Sequence, residues 1–447
     1  MLSESQTGLQ TKLDALENYC NINKLSVNTK KTQCMIFNKT GRLLKNYKFT
    51  YKTAPLLCVW EYKYLGFIVT PSGEVRTGLE DLRQRAVKAY YKLKNTLGAM
   101  FRRNIENTVH LYNYLVKPIL TYCSDFWGCL QPKNNPIEKV HLMFCKHLLG
   151  VRRQTCTVGV LQEIGMMPLS LFAIKSATKN WERIQQGKAN PILVASNNYS
   201  REENLPWASN IKSLFASNGL LHQYLQKTNE TEERRYGPIT NKLLKRLTDI
   251  FHQTAFEEIS SGSKMKTLNV LKKAPGREQY LTEITNSKHR CALTKLRLSA
   301  HQLLEIETGR YNNTLAENRF CTYCKFEGRE VVEDEVHFLI ICPMHKNLRE
   351  NMLPSHILQN KNMTDLQKFV EIMTNHDTKK VGKFVYQAFN ERNIKLDVLS
   401  TLKELVSSID NSLKNEKTVK VQGPEQPDKY QIKWLSGDGL KIVLSKI

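Results

Sequence analysis

PLLCVWEYKYLGFIVTPSGEVRTGLEDLRQRAVKAYYKLKNTL, residues 55–97, contains the change of period on which the fold depends. Residues 55–70 are rich in aromatic and β-branched side chains and end at a Pro71-Ser72-Gly73 turn, as strands do. From residue 77 the period becomes helical. Leu79, Leu82, Ala86, Ala89, Leu93 and Leu97 share one stripe. Arg85, Lys88 and Lys92 line one flank of that stripe, and Arg83 and Lys94 the other. Strands followed by a long amphipathic helix make the reading α+β.

Working outward, residues 7–25 read as a helix with Leu9, Leu13, Leu16 and Cys20 on one face. Gln33–Phe37 and 45–52 read as short strands. Together, residues 33–70 are expected to form an antiparallel, hairpin-like sheet backed by that helix, which buries Leu9, Leu13 and Leu16. Downstream the pattern is mainly helical, at 105–117, 137–149, 169–186 and 209–227. The polar stretches 187–208 and 229–240 read as loops. Residues 261–278 are basic and broken by Gly and Pro, and 286–312 are helical and basic. The last strong helix is 365–392. Residues 409–430 are polar, and the tail offers one helix (LKELVSSIDNSL) and two strands (YQIKW, LKIVL).

The 447 residues hold 66 Lys plus Arg against 42 Asp plus Glu, a formal charge of +24. Such a balance favours a polyanionic partner: nucleic acid first, an anionic membrane surface second. With 41% hydrophobic residues and only 14 Pro and 21 Gly, the chain is neither wholly disordered nor of low complexity. No apolar run is long enough for a membrane span, and no secretory pattern opens the chain. Eleven cysteines, an odd number, fit a reducing intracellular compartment, nuclear or cytoplasmic.

The most specific local signal is CTYCKFEGREVVEDEVHFLIIC, residues 321–342. Its spacing, C-x2-C-x12-H-x4-C, lets Cys321 and Cys324 share one metal from a tight knuckle. His337 and Cys342 then close the site from the other side. Zn²⁺ accepts this S₃N set, and four protein ligands leave no open position, so the role is structural. His345 is a spare candidate ligand. The loop's Glu327, Glu330, Glu333, Asp334 and Glu335 make it a poor phosphate surface. Arg319, Lys325, Lys346 and Arg349 flank it as candidate cations.

A second set of motifs runs in order along the chain: NTKKT (28–32), EYKYLGFIVTPSGEV (61–75), VKPILTYCSDFWG (116–128), CKHLLGVRRQTCTVGVLQEIGMMPL (145–169), KLRLSAHQLLEIETGRYNN (295–313), then the Cys/His cluster and KFVYQAFNERN (383–393). This series resembles the C-terminal half of non-LTR (LINE-type, jockey-like or RTE-like) retrotransposon reverse transcriptases, over roughly residues 1–393. The resemblance implies a palm remnant, with Lys31 near the incoming nucleotide and Tyr64, Leu65 and Gly66 as primer grip. A thumb, a connector and a C-terminal zinc module follow. The thumb flank Arg85, Lys88 and Lys92, with Arg102 and Arg103 beyond it, is the candidate nucleic-acid surface.

Phosphoryl transfer needs paired carboxylates on two Mg²⁺ ions. In this family they lie on an A-D-D loop directly before the segment that opens this chain, and no D-D pair occurs here. Mg²⁺ therefore belongs to the full-length family enzyme, and this chain is expected to be a truncated product that does not polymerise alone. The implied organisation is a palm remnant (1–75), thumb and connector (76–186), a basic helical region (187–316), a CCHC zinc module (317–350), C-terminal helices (351–395) and a tail (396–447). The expected partner is RNA or DNA, with no membrane. Two rivals stand beside this reading. One is a polymerase half that works when the missing palm is supplied. The other is a domesticated zinc-containing adaptor that binds protein.

Overall fold

The computed structural model describes residues 1–447 except 45, 226–237, 415–429, 436–440 and 447, with side chains described up to 407. The chain is mostly helical and forms two compact units, Met1–Phe389 and Asn390–Ile447.

Helix α1 (Gln6–Ile22) starts at Ser5, whose hydroxyl accepts from the Gly8 N–H at 3.1 Å. It packs on a small sheet formed by β1 (Gln33–Cys34), β2 (Phe49–Tyr51) and β3 (Ala54–Cys58). Leu13 is buried with Phe49, Tyr51 and Leu56, while Leu9 and Leu16 are half-buried at the edge of that cluster. The expectation of one antiparallel sheet over 33–70 needs correction. The order is β1-β3-β2, with β2 antiparallel to β3 but β1 parallel to it, Cys34 opposite Cys58. Strands β4 (Tyr62–Tyr64) and β5 (Phe67–Val69) form a separate hairpin. The break follows Val59, whose N–H goes to the Cys34 carbonyl and so ends the β3 pairing.

The hairpin turn is Leu65-Gly66, with φ of 45° and 89°. Two positive φ values suit the twist of a two-residue hairpin. For Leu65 that conformation costs about 1–2 kcal/mol. The tip is fastened on the outside: Arg85 Nη2 donates to the Gly66 carbonyl at 2.7 Å and the Tyr122 hydroxyl donates to the Leu65 carbonyl. Phe67 turns inward onto α2 (Arg76–Leu97). There a Cβ on Gly78 would lie 2.4 Å from the Phe67 ring, so only glycine permits this approach.

Helix α2 buries Leu79, Leu82, Ala86, Tyr90 and Leu93. The stripe thus runs through Tyr90, and Ala89 and Leu97 sit at its margin. After the tight turn Gly98–Arg102, helices α3 (Ile105–Leu115), α4 (Lys117–Leu120), α5 (Ser124–Trp127), α6 (Pro136–Leu149), α7 (Thr157–Ile164) and α8 (Leu169–Gln185) complete the body around α2. Residues 187–208 are not a loop. They hold α9 (Pro191–Glu202) and the start of α10 (Pro206–Ser217). Asn190 caps the first, accepting from the Ile192 N–H at 2.9 Å, and each helix has Pro at its first position. The polar composition belongs to a largely solvent-facing helix. Helix α11 (Leu221–Leu225) follows, and most of the expected loop at 229–240 lies outside the described residues.

Then come α12 (Ile239–Ser261), α13 (Lys266–Leu271), α14 (Tyr280–Glu283), α15 (Ser287–Arg297) and α16 (Glu305–Thr308). The helix expected over 286–312 stops at Leu298 because Ser299 adopts φ 46°. After the Cys/His segment, α17 (Thr322–Phe326), α18 (Lys346–Met352) and α19 (Ser355–Leu358) precede α20 (Asp365–Asn375) and α21 (Thr378–Lys414). The single helix expected over 365–392 is thus two. Thr364 and Gln367 form a capping box at the first start, and Asp377 Oδ1 accepts from the Lys379 N–H near the second. In the second unit, β6 (Tyr430–Leu435) and β7 (Lys441–Lys446) pair antiparallel, Ile432 opposite Leu444. No single described helix is long and apolar enough to cross a membrane, although α7 and α8, bent by 73°, pass that test as a pair. Their apolar residues Val160, Ile164, Leu169 and Ala173 are core.

One buried group makes the body acid-sensitive. His141, 1% exposed, accepts from the Tyr112 hydroxyl at Nδ1 (2.9 Å), while Nε2–H donates to the Met167 carbonyl (3.0 Å). Burial pushes its pKa from 6.5 down to about 4. Between those values the unfolded chain takes up a proton that the folded chain refuses. The stabilisation is therefore complete above pH 6.5 and lost as pH falls toward 4, about 3 kcal/mol in all. The expected result is a His141 imidazole that stays neutral at pH 5.5 by NMR, and a titration midpoint near 6.5 would refute it.

Candidate metal centre and cationic surface

Cys321 ends a short backbone pairing in which its N–H reaches the Val331 carbonyl at 2.7 Å, with Phe320 bridged to Val332. It then caps α17, which carries Cys324 one turn on, and the chain turns back through Gly328 at φ 78°. His337 opens a wide π-helical turn, His337–Ile341, whose last bond runs from the Cys342 N–H to the His337 carbonyl at 2.8 Å. Asp334 Oδ1 accepts from the His337 N–H at 2.8 Å and fixes the start of that turn. The buried Arg349 fixes its end, donating to the carbonyls of Leu339 (2.8 Å) and Cys342 (2.7 Å).

These elements bring Cys321, Cys324, His337 and Cys342 together. Their ligand atoms all lie within 4.8 Å of one another, and all four residues are buried. Cys321 and Cys342 sulfurs are 4.0 Å apart, and Cys324 Sγ is 3.5 Å from His337 Nε2. Tetrahedral bonds of about 2.0–2.3 Å imply edges of roughly 3.5–3.8 Å, so the cluster is near the size that a bound ion requires. Without a cation the three thiols cannot all ionise. A hydrogen bond from Cys342 pulls Cys321 down to about 3. Burial and the Cys321 charge raise Cys324 to about 11, and the same bond with burial raises Cys342. Backbone N–H groups of Cys324 and Met344 point at the Cys321 and Cys342 sulfurs, which favours thiolates. The four residues can hold a metal ion, and the donor set is compatible with zinc. His345, the spare ligand, instead packs edge-on against Phe338, centroids 5.0 Å apart.

Two expectations about this module change. The acidic run is a surface only in its first half: Glu327 and Glu330 are exposed, but Glu333 and Glu335 are 2% and 8% exposed. Glu333 Oε2 accepts from the Glu305 N–H (3.0 Å) and Glu305 Oε1 from the Thr322 hydroxyl (3.0 Å). Burial alone would raise the Glu335 pKa, but bonds from His301 (3.1 Å) and Ser299 (2.6 Å) hold it well below the usual range. Nor are Arg349 and Arg319 free cations. Arg349 holds the ligand turn, and Arg319 donates to the carbonyls of Thr314 (2.9 Å) and Ile306 (2.8 Å).

The residues read as nucleic-acid contacts divide. Lys88, Lys92 and Arg103 are exposed and have no carboxylate partner among the described residues. Arg85, by contrast, is tied to Asp81 at 2.8 Å besides holding the hairpin tip, and Arg102 donates to the His147 carbonyl at 2.7 Å. Lys31 is exposed in a turn closed on Asn28. Tyr64 and Leu65 project from the hairpin, 62% and 73% exposed, with Trp60 and Tyr62 beside them in sequence also exposed. Asp14 and Asp125 lie exposed on helices α1 and α5, and among the described residues no carboxylate cluster joins the Cys/His group as a metal site.

Sequence reading missed the buried ion network around Glu163 and Arg297. Arg297 pairs with Glu163 (2.5 Å) and Glu278 (2.6 Å), and Lys272 pairs with Glu278 (2.7 Å). No family model, curated protein or solved structure matches the chain.

Proposed function

We propose that this chain is a zinc-stabilised nucleic-acid-binding protein whose motifs relate it to the thumb and C-terminal part of LINE-type reverse transcriptases, and that it does not polymerise alone. The observation that carries this reading is the fastened hairpin tip. A strained Leu65 is held in place by Arg85 and Tyr122, and strained positions that the surroundings over-determine cluster at functional sites. The tip displays Tyr64 and Leu65, while α2, which fastens it, displays Lys88 and Lys92. Aromatic faces stack on bases and free lysines neutralise phosphates, which suits a single strand or a primer end. The Cys₃His centre fits Zn²⁺ by donor type and has no open position, so its role here is structural.

The test is fluorescence anisotropy with a labelled 20-nucleotide RNA and a 20-bp DNA duplex across salt concentrations. Lys88→Ala with Lys92→Ala is expected to lower affinity for all sequences alike and reduce the salt slope on duplex by about 1.8, roughly 0.9 per phosphate contact. Tyr64→Ala is expected to weaken RNA binding about tenfold, the loss of one stacked base. Weak salt dependence in the unaltered protein would instead support the protein-binding adaptor. The exposed Leu57 on the outer face of the sheet favours a second reading, in which the sheet completes a palm supplied separately. A polymerase assay with and without the aspartate-bearing fragment tests it.

A further inference from the structure

Several stretches of the sequence contain no Asp or Glu, the longest being 18–60, and three others meet in the fold. Residues 82–105 carry seven Lys or Arg, residues 139–162 carry four and residues 284–304 carry four. They are far apart in sequence, yet the fold joins them at one place, the turn that ends α6. Arg102, from the first stretch, donates to the His147 carbonyl at 2.7 Å. Tyr90, from the same stretch, meets His147 Nδ1 at 2.7 Å. The turn itself closes on Gly150, at φ 71°. A Cβ there would lie 2.5 Å from the sulfur of Cys291, in the third stretch, and 3.7 Å from Arg102 Cζ. Glycine is therefore what allows the three segments to meet.

The charges gathered here are not neutralised. Lys94, Arg102, Arg103, Arg152, Arg153 and Lys295 have no carboxylate partner among the described residues. Their mutual field is felt locally. Burial lowers the His147 pKa, and Lys94 and Arg102 lower it further. Two cations, Arg102 and Lys146, find backbone acceptors, as expected near a helix C-terminus, where carbonyls are unpaired. That local role does not account for Arg103 and Arg153, which are exposed, or for Lys295 on another helix. Aromatic groups accompany them. The Tyr311 hydroxyl accepts from Arg152 at 3.1 Å and its ring is 66% exposed, and Lys94 lies 5.8 Å from the centre of the Tyr91 ring, 42% exposed. At 100° per residue, Lys94 lies about 240° around α2 from Lys88, so this is a different surface from the Lys88 and Lys92 flank.

We infer that the junction of 82–105, 139–162 and 284–304 around Gly150 is a second phosphate-binding track, with Arg103, Arg153 and Lys295 as its free cations and Tyr91 and Tyr311 as its stacking faces. It rests on the nucleic-acid reading above and adds where a further length of the same polynucleotide lies. A merely soluble basic protein intersperses both signs, whereas a polyanion track gathers one.

The test uses the triple variant Arg103→Ala, Arg153→Ala, Lys295→Ala in the full chain, residues whose side chains make no ion pair. Circular dichroism and metal content should match the unaltered protein. Binding is measured by anisotropy to 20-bp and 40-bp DNA duplexes and to a 40-nucleotide RNA across salt, with phosphatidylserine vesicles as a separate arm. The track predicts a salt slope on the 40-bp duplex lower by about 2.7, three contacts at roughly 0.9 each, and at least a tenfold loss of affinity at low salt. It also predicts a smaller loss on the 20-bp duplex if both surfaces share one strand. An unchanged slope with Lys88→Ala, Lys92→Ala still effective overturns the second track and leaves the general reading intact. No binding of any nucleic acid by the unaltered protein overturns the reading itself. If the triple variant loses only vesicle binding, the surface is a membrane contact and the inference fails.

Discussion

Replacing Cys321 or Cys342 with Ser is expected to remove one bound zinc per chain and to lower the thermal midpoint by more than about 10 °C. Structural zinc sites couple metal affinity directly to folding, with apparent binding free energies of about 10–16 kcal/mol in isolated fingers. Here the centre is not a detached finger. Phe338, Leu339 and Ile340, which lie between two of the ligands, belong to the main core with Phe369, Phe384 and Phe389, and the Phe338 and Phe389 rings stack at 4.7 Å. Loosening the His337–Cys342 turn therefore opens the body as well as the knuckle. With an unfolding entropy of about 2.1 cal/mol/K per residue, the midpoint of a body of this size moves by roughly 1.2 °C per kcal/mol, so losing about 10 kcal/mol of metal binding shifts it by about 12 °C. The checks are metal analysis, cobalt substitution and calorimetry with and without chelator. His345→Ala should keep its zinc, since that ring packs on Phe338 outside the cluster. A Cys342→Ser protein that retains one zinc and an unchanged midpoint would show that the four residues are only buried neighbours.

The contrast between what the sequence revealed and what it concealed follows from the range of each interaction. The α2 stripe and the 321–342 spacing are local patterns, set by helical period and by the geometry of a tight knuckle, and they can be read within one window. The parallel pairing of Cys34 with Cys58 joins distant residues, and no periodicity announces it. Residues 187–208 have the polarity of a loop, yet Asn190-Pro191 is a start signal for a helix, and most of the polar side chains face solvent from it. Charge is equally ambiguous. Glu333, Glu335 and Arg349 look like surface residues by type, yet each is buried because each satisfies specific partners. Arg85 and Arg102 were legible as cations, but not as residues already bonded to carbonyls.

The largest single-residue effect expected away from the metal concerns Glu163, which is fully buried 134 residues from its partner Arg297. Glu163 Oε1 accepts from Arg297 at 2.5 Å and from the Tyr280 hydroxyl at 2.8 Å, and that hydroxyl also meets Thr294 at 2.8 Å. Burial alone would lower the Arg297 pKa, but the Glu163 charge overrides it and holds the guanidinium above its ordinary value. Glu163 and Glu278 balance Arg297 and Lys272, so the network is neutral as a whole and costly to break in part. Glu163→Gln leaves two buried cations, Arg297 and Lys272, facing one carboxylate, the partly exposed Glu278. Breaking one side of a buried pair typically costs about 3–5 kcal/mol. Arg297→Met alone should cost a similar amount. Combining Glu163→Gln with Arg297→Met should cost less than their sum, because the second change removes the stranded charge left by the first. Urea unfolding of the four proteins in a double-mutant cycle measures this. Additive losses would mean that the two side chains do not sense one another. In that case the contact between α7 and α15 is held by apolar packing alone.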